Sequence, residues 1–178
     1  MTPTQTELYK HFAKMGMKKL KSDTEGRQTG GQDSLKAMIH LKKIVNHPCL
    51  LSPSDVPPSL LPDDFSFKER CQVEWSGKII VLDNMIRQMR VESSDKIVVI
   101  SNYTQTLDLV ERLCGIRKWP LFRLDGSMQI TKRQKMVDQF NDLSTPQFVF
   151  LLSSKAGGCG INLIGANRLI LFGILFFL

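Results

Sequence analysis

Three short segments of this sequence carry residue types suited to holding phosphate. They are Ser101-Asn102-Tyr103-Thr104-Gln105, Asp125-Gly126-Ser127 and Ser153-Ser154-Lys155-Ala156-Gly157-Gly158-Cys159-Gly160, each polar or glycine-rich and each following a short apolar run. Backbone N–H groups at a helix start, with hydroxyls beside them, bind phosphate oxygens, and glycine lets main chain approach a ligand closely. The plain alternative is that Ser and Thr only cap helices and Gly only permits turns. The third segment is the most specific, because three of its last four positions are glycine. It is not a G-x-x-x-x-G-K-[ST] loop, since Lys155 precedes the glycines. That motif is absent from the chain, as is an Asp-Glu pair that could hold a magnesium ion. Such segments can touch a nucleotide but lack the parts to grip its β/γ-phosphates and metal.

The elements that must position these segments follow from periodicity. Ile97–Ile100 is a short continuous apolar run rich in β-branched residues, as expected of a strand buried on both faces, and Pro120–Leu124, Phe148–Leu152 and Arg168–Phe172 read as further strands. Between them lie helical patterns of about ten residues, one capped by Thr104 with Leu107, Val110 and Leu113, another capped by Thr131 with Met136, Val137 and Phe140. Strands alternating with helices predict an α/β fold with a parallel sheet, whose ligands bind beyond the carboxyl ends of the strands. All three polar segments belong on that edge. A further helical stripe, Ile79, Leu82, Ile86 and Met89, precedes the first strand.

Upstream, Thr2-Pro3-Thr4-Gln5 matches an N-cap, a proline at the first helical position and a capping-box acceptor, leading to Leu8, Phe12 and Met15 on a helix to about Leu20. Polar, glycine-containing residues 21–33 read as a loop. Ser34 caps a second helix with Leu35, Met38, Leu41 and Val45 on its apolar side, ended by Pro48. The expected organisation is a helical element at 1–51, a linker or surface loop at 52–75, and an α/β lobe at 76–178.

Composition narrows the function. The 178 residues carry a formal charge of +7 and are 42% hydrophobic, which is globular rather than disordered or fibrous. Residues 1–50 hold nine Lys/Arg against four acids, residues 51–76 two against five, and residues 77–178 thirteen against eight. Two basic blocks favour an anionic partner, nucleic acid before membrane. The four cysteines, at 49, 71, 114 and 159, form no C-x-x-C pair, so a zinc ribbon or thioredoxin-type site is not expected, and a reduced intracellular protein is. The longest apolar run, Leu169–Leu178, is half of the roughly 20 residues that a membrane-crossing helix needs.

Several strings occur together, in an order that is itself informative: Leu41-Lys42-Lys43-Ile44-Val45-Asn46-His47-Pro48, Ser76-Gly77-Lys78, Val99-Ile100-Ser101-Asn102-Tyr103-Thr104-Gln105-Thr106-Leu107-Asp108, Arg123-Leu124-Asp125-Gly126, and Leu152 through Gly165. From residue 1 to Phe172 the chain resembles the second motor lobe of the Swi/Snf-type double-stranded-DNA translocases of helicase superfamily two, in their recombination-repair (Rad fifty-four type) branch. The resemblance implies a RecA-like helicase C-terminal lobe, with ATP and Mg held between two lobes of the complete enzyme. It implies work in homologous-recombination repair and chromatin remodelling in the nucleus, on double-stranded DNA, with a recombinase filament as a further candidate partner and no membrane. It places Ser101, Asn102, Gln105, Arg123, Lys132, Arg133, Ser154 and Lys155 near DNA, and Gly157, Gly158, Gly160 and Asn162 near the shared nucleotide. No catalytic residue or metal ligand is assigned; His47 packs or caps a helix end, and Cys159 has no base beside it to make it a nucleophile.

Departures from that family temper the reading. The first lobe is missing, and where family members continue with an Asp and an arginine-bearing helix this chain runs Gly173-Ile174-Leu175-Phe176-Phe177-Leu178. The expectation is an incomplete lobe that hydrolyses no ATP alone; the alternative is a non-catalytic DNA- or partner-binding isoform. The uncharged, proline-free tail has the composition of an aggregation-prone segment. It predicts self-association that ending the chain at Phe172 relieves, which gel filtration with light scattering on both lengths measures.

Overall fold

Thr2 opens helix α1 (Pro3–Asp23) as its spacing predicts: its hydroxyl accepts from the Gln5 N–H at 3.2 Å, and the Gln5 side chain accepts from the Thr2 N–H at 3.0 Å. Helix α2 (Gly30–Asn46) packs against α1. The computed structural model describes residues 1–23, 30–69, 72–126, 128–156 and 161–173, arranged in two compact units, Met1–Leu82 and Asp83–Leu178. The tail Ile174–Leu178, Ser127, and the run Gly157-Gly158-Cys159-Gly160 lie outside the described residues.

Two expectations for α2 are corrected. The helix begins at Gly30, so Ser34 lies within it rather than capping it; the helix-propensity cost of a glycine, about 1 kcal/mol, is small against tertiary packing. The apolar stripe read for it is buried only at its carboxyl end: Leu35 and Met38 are exposed, whereas Leu41 packs against the core and Ile44, outside that stripe, is fully buried. Nearby, α1 and α2 approach closely at small residues: a Cβ on Gly16 of α1 would lie 3.0 Å from the Cβ of Ala37. Small residues let the helices approach at that point, and Leu35 and Met38 near it are left exposed.

The core of this first unit joins Leu8 and Phe12 to Ile44, Leu51 and Val56, with Leu60, Leu61 and Phe67 against it. Residues 52–75 therefore supply packed side chains, Val56, Leu60, Leu61 and Phe67 among them, with 3-10 turns at Pro53–Asp55, Pro58–Leu60 and Val73–Trp75 along the segment. His47 is buried after α2, as a packing and capping residue: Nδ1 accepts from the Cys49 N–H at 3.1 Å and Nε2 lies 2.9 Å from the Gln72 carbonyl. Burial lowers its pKa, which keeps the ring neutral and Nδ1 an acceptor.

Helix α3 (Gly77–Glu92) carries the stripe read from the sequence, with Ile79, Leu82 and Ile86 buried, and the boundary between the two compact units falls within it, at Leu82/Asp83. The second unit continues with β1 (Ile97–Ser101), α4 (Thr104–Ile116), β2 (Leu121–Leu124), α5 (Ile130–Asn141), β3 (Val149–Ser153) and β4 (Arg168–Leu171). All pairings are parallel, in the order β2-β3-β1-β4, so the expected α/β parallel sheet is present. The central strand β3 is buried at every position and β1 at all but Ile100, which suits strands covered on both faces. Thr104 and Thr131, expected as caps, lie inside the first turns of α4 and α5; the flanking Tyr103 and Gln129 make no side-chain cap bond.

Polar anchors fix the helices to this frame. Asp83 takes both arms of Arg117, at 2.8 and 2.6 Å, tying α3 to the end of α4. The buried Lys96 donates to the carbonyls of Phe140 and Asp142 and to the Thr145 hydroxyl at 2.8, 2.7 and 3.2 Å, tying the start of β1 to the end of α5. In the first unit the fully buried Gln5 does comparable work. Its Oε1 also accepts from the Gly77 N–H at 3.1 Å, and its Nε2 donates to the Ile44 and Val45 carbonyls at 2.7 and 3.3 Å, so one carboxamide joins the starts of α1 and α3 to the end of α2. A Gln5→Leu change leaves those groups without their partner in the interior and is expected to cost about 1–3 kcal/mol, read as a lowered urea midpoint with unchanged slope.

Candidate nucleic-acid interface

In-register pairing levels the carboxyl ends of the strands. Leu124 pairs with Leu152, Leu152 with Ile100, and Ile100 with Leu171, so the segments that follow β2, β3 and β1 leave the sheet from one edge. The segments after β1 and β3 are joined directly, because the Ser154 N–H donates to the Ser101 carbonyl at 3.1 Å. A turn closes just beyond, with the Ala156 N–H on the Ser153 carbonyl at 2.9 Å. Ser101 and Ser153, paired at the ends of β1 and β3, are both buried. The Ser101 hydroxyl faces the Tyr103 N–H at 3.4 Å, which makes it a brace of the turn rather than a surface group.

The remaining predicted residues divide by exposure. Gln105, Lys132 and Lys155 are exposed, and Asn102 and Ser154 half-exposed. Ser154 and Lys155 thus sit beside the Ser101–Gln105 turn on the same edge. Arg133, on the first turn of α5, is half-buried: its Nε donates to the Met128 carbonyl at 3.0 Å and its Nη1 to the Ala156 carbonyl at 3.3 Å. Arg123 departs from the expectation of an available cation. Its Nη1 meets Asp108 at 2.7 Å and also Glu111, and its Nε lies 3.5 Å from Asp125. Burial opposes its charge, but the hydrogen bonds and attraction of Asp108 and Glu111 prevail and raise its pKa. The sequence showed Arg123 on a strand; it did not show that two carboxylates three residues apart on α4 would meet it.

Sequence reasoning missed Asn141, at the last position of α5. Its Nδ2 donates to the Asn162 carbonyl at 2.8 Å, and its Oδ1 accepts from the Gly165 N–H at 2.9 Å. The Asn162 side chain itself is exposed. Gly157, Gly158 and Gly160 lie outside the described residues, but the chain on either side of them is held by α5, at Ala156 and at Asn162 and Gly165. Among the described residues no group of three His, Cys, Asp or Glu could hold a metal ion, and no helix is long and apolar enough to cross a membrane.

Position 165 tolerates no side chain. A Cβ there would stand 2.7 Å from the Asn141 Cα and 2.8 Å from the Phe140 carbonyl oxygen, both backbone atoms of α5. Gly165→Ala is expected to push the segment off α5 at a cost of about 1–3 kcal/mol, measured by urea denaturation.

Comparison with known proteins places this arrangement. The family described as helicase conserved C-terminal domain matches residues 77–176. The DNA repair and recombination protein RAD54-like of Homo sapiens is 48% identical over 180 residues, covering 97% of this chain and 24% of its own length. The DNA repair and recombination protein RAD54 of Saccharomyces cerevisiae is 49% identical, covering 96% of this chain and 20% of its own. This chain thus spans about a quarter or less of the curated relatives it matches. Among solved structures, the C-terminal domain of the Sulfolobus solfataricus SWI2/SNF2 ATPase superposes with a TM-score of 0.75 at 26% identity, over 97% of this chain and 68% of that one.

Proposed function

The chain belongs to the helicase conserved C-terminal domain family, as a Swi/Snf-type lobe of the RAD54-like branch, and from that premise we propose that it serves as the second motor lobe of an ATP-driven translocase tracking double-stranded DNA in nuclear recombination repair. One observation carries the reading: Ser154 and Lys155 are joined to the Ser101–Gln105 turn through the 3.1 Å bond from the Ser154 N–H to the Ser101 carbonyl. That bond sets a hydroxyl, a lysine and the start of α4 side by side, which is the chemistry that recognises a phosphate backbone without reading bases. The names of the two relatives supply DNA as the polymer and repair and recombination as the setting; a recombinase filament is the partner such a setting would add.

ATP and magnesium belong to this reading as cofactors of the complete motor. The residues described do not fit them as a self-sufficient site. No carboxylate cluster suits the metal among the described residues, and the sequence has no G-x-x-x-x-G-K-[ST] loop for the β/γ-phosphates. What this lobe's own residues do is bind and orient the DNA backbone. Gly157, Gly158, Gly160 and Asn162 remain the proposed contribution to a nucleotide site shared with another lobe.

Binding by such an edge is electrostatic and independent of sequence, so affinity for a mixed-sequence duplex should fall steeply as salt rises. Lys155→Ala is expected to reduce the slope of log affinity against log salt by about one unit, with an equal loss on unrelated duplexes. Fluorescence anisotropy titrations at several salt concentrations decide it; a slope unchanged by the substitution removes Lys155 from the interface.

A further inference from the structure

The Arg133 guanidinium bridges two segments that leave neighbouring strands: the chain after β2, through Met128, and the chain after β3, through Ala156. Both bonds end on main-chain carbonyls, so they fix backbone rather than side chains. At the opposite end of α5, Asn141 holds the Asn162 carbonyl and the Gly165 N–H. Helix α5 itself is set into the core by Val137 and Phe140, packed with Phe150, Leu152 and Ala156. The β3–β4 connection is therefore clamped to one rigid helix on both sides of its glycine run, and Lys155 is the residue immediately before the first clamped carbonyl.

We propose that Arg133 is a positioning residue, whose forked bonds to Met128 and Ala156 hold Ser154 and Lys155 in the orientation that meets DNA, rather than itself a phosphate contact. This rests on the proposed DNA-binding edge and adds the element that sets its geometry. The reason arginine is needed is directional. Nε and Nη1 point along different axes of one plane and reach two carbonyls at once, whereas a lysine presents its charge from a single atom. A residue used for its charge alone tolerates that exchange; one used for its fork does not.

The test compares the full chain with Arg133→Lys, Arg133→Ala and Lys155→Ala variants, using amide hydrogen exchange and anisotropy titrations against a fluorescein-labelled mixed-sequence duplex. Expected for both Arg133 variants is exchange at Ser154 and Ala156 faster by roughly tenfold, about the change from losing one hydrogen-bonded constraint, while Val149–Leu152 amides keep their protection. Affinity should fall several-fold in both with the salt slope of the parent chain retained, whereas Lys155→Ala loses about one unit of slope. Arg133→Lys matching the parent in exchange and affinity, or Arg133→Ala losing a unit of slope without faster exchange, would overturn the proposal. Should Arg133→Ala not fold, Arg133→Lys decides by itself. Should Lys155→Ala leave DNA binding untouched, the DNA-edge reading fails on its own, and exchange at Ser154 and Ala156 still supports or overturns the positioning role.

Discussion

Strands β1 and β3 pair residue for residue, Ile97–Ser101 against Val149–Ser153, and lie at the centre of the sheet with almost every side chain buried. Because successive side chains point to opposite faces, a slip of one residue would exchange the two faces of a strand. The face holding Val98, Phe150 and Leu152 is matched to Val137 and Phe140 of α5, so a slipped register would lose that packing. Apolar burial thereby sets a polar outcome. With the register held, Ser101 and Ser153 stand level, and the Ser154 N–H has the Ser101 carbonyl within reach. The placement of the edge segments is a consequence of the core, which is why residues with no role in binding decide where the binding residues stand.

The cations of the second unit show how far a formal charge overstates a surface. Arg117 is committed to Asp83, Arg123 to Asp108 and Glu111 with Asp125 nearby, Arg168 to Asp95, and Lys96 to two carbonyls and a hydroxyl. These groups hold elements together. Of the predicted site cations, Lys132 and Lys155 are exposed. The distinction matters for steering, since a buried or paired charge contributes little to the potential felt by an approaching polyanion.

Much of the α/β lobe was legible because its signals are local. The four strands were expected within a residue or two of where they lie, since each is a continuous apolar run; β1 and β3 are buried as such runs imply, whereas β4 is largely exposed. The capping box at Thr2 and Gln5 was equally readable, being complete within four residues. What escaped was set by distant neighbours. Gly16 and Ala37 meet between α1 and α2 because both are small, and of the stripe Leu35, Met38, Leu41 and Val45 the first two stay exposed while Leu41 packs on the core. Arg123 and Arg133 looked alike as strand and helix cations; only folding brings carboxylates to one and carbonyls to the other. Asn141 gave no signal at all, since its partners lie 21 and 24 residues away.

Lys96 has a practical consequence of a different kind. Its ammonium is enclosed, its three protons are engaged, and burial lowers its pKa while the nearby Asp142 partly restores it. Acylating reagents require a deprotonated amine in contact with solvent, and this amine meets solvent only when β1 parts from the end of α5. Most surface lysines label at rates fixed by their own chemistry, but Lys96 labels at a rate fixed by the opening of the unit. The protein thus carries its own chemical gauge of breathing, one that needs neither a mutation nor an attached probe.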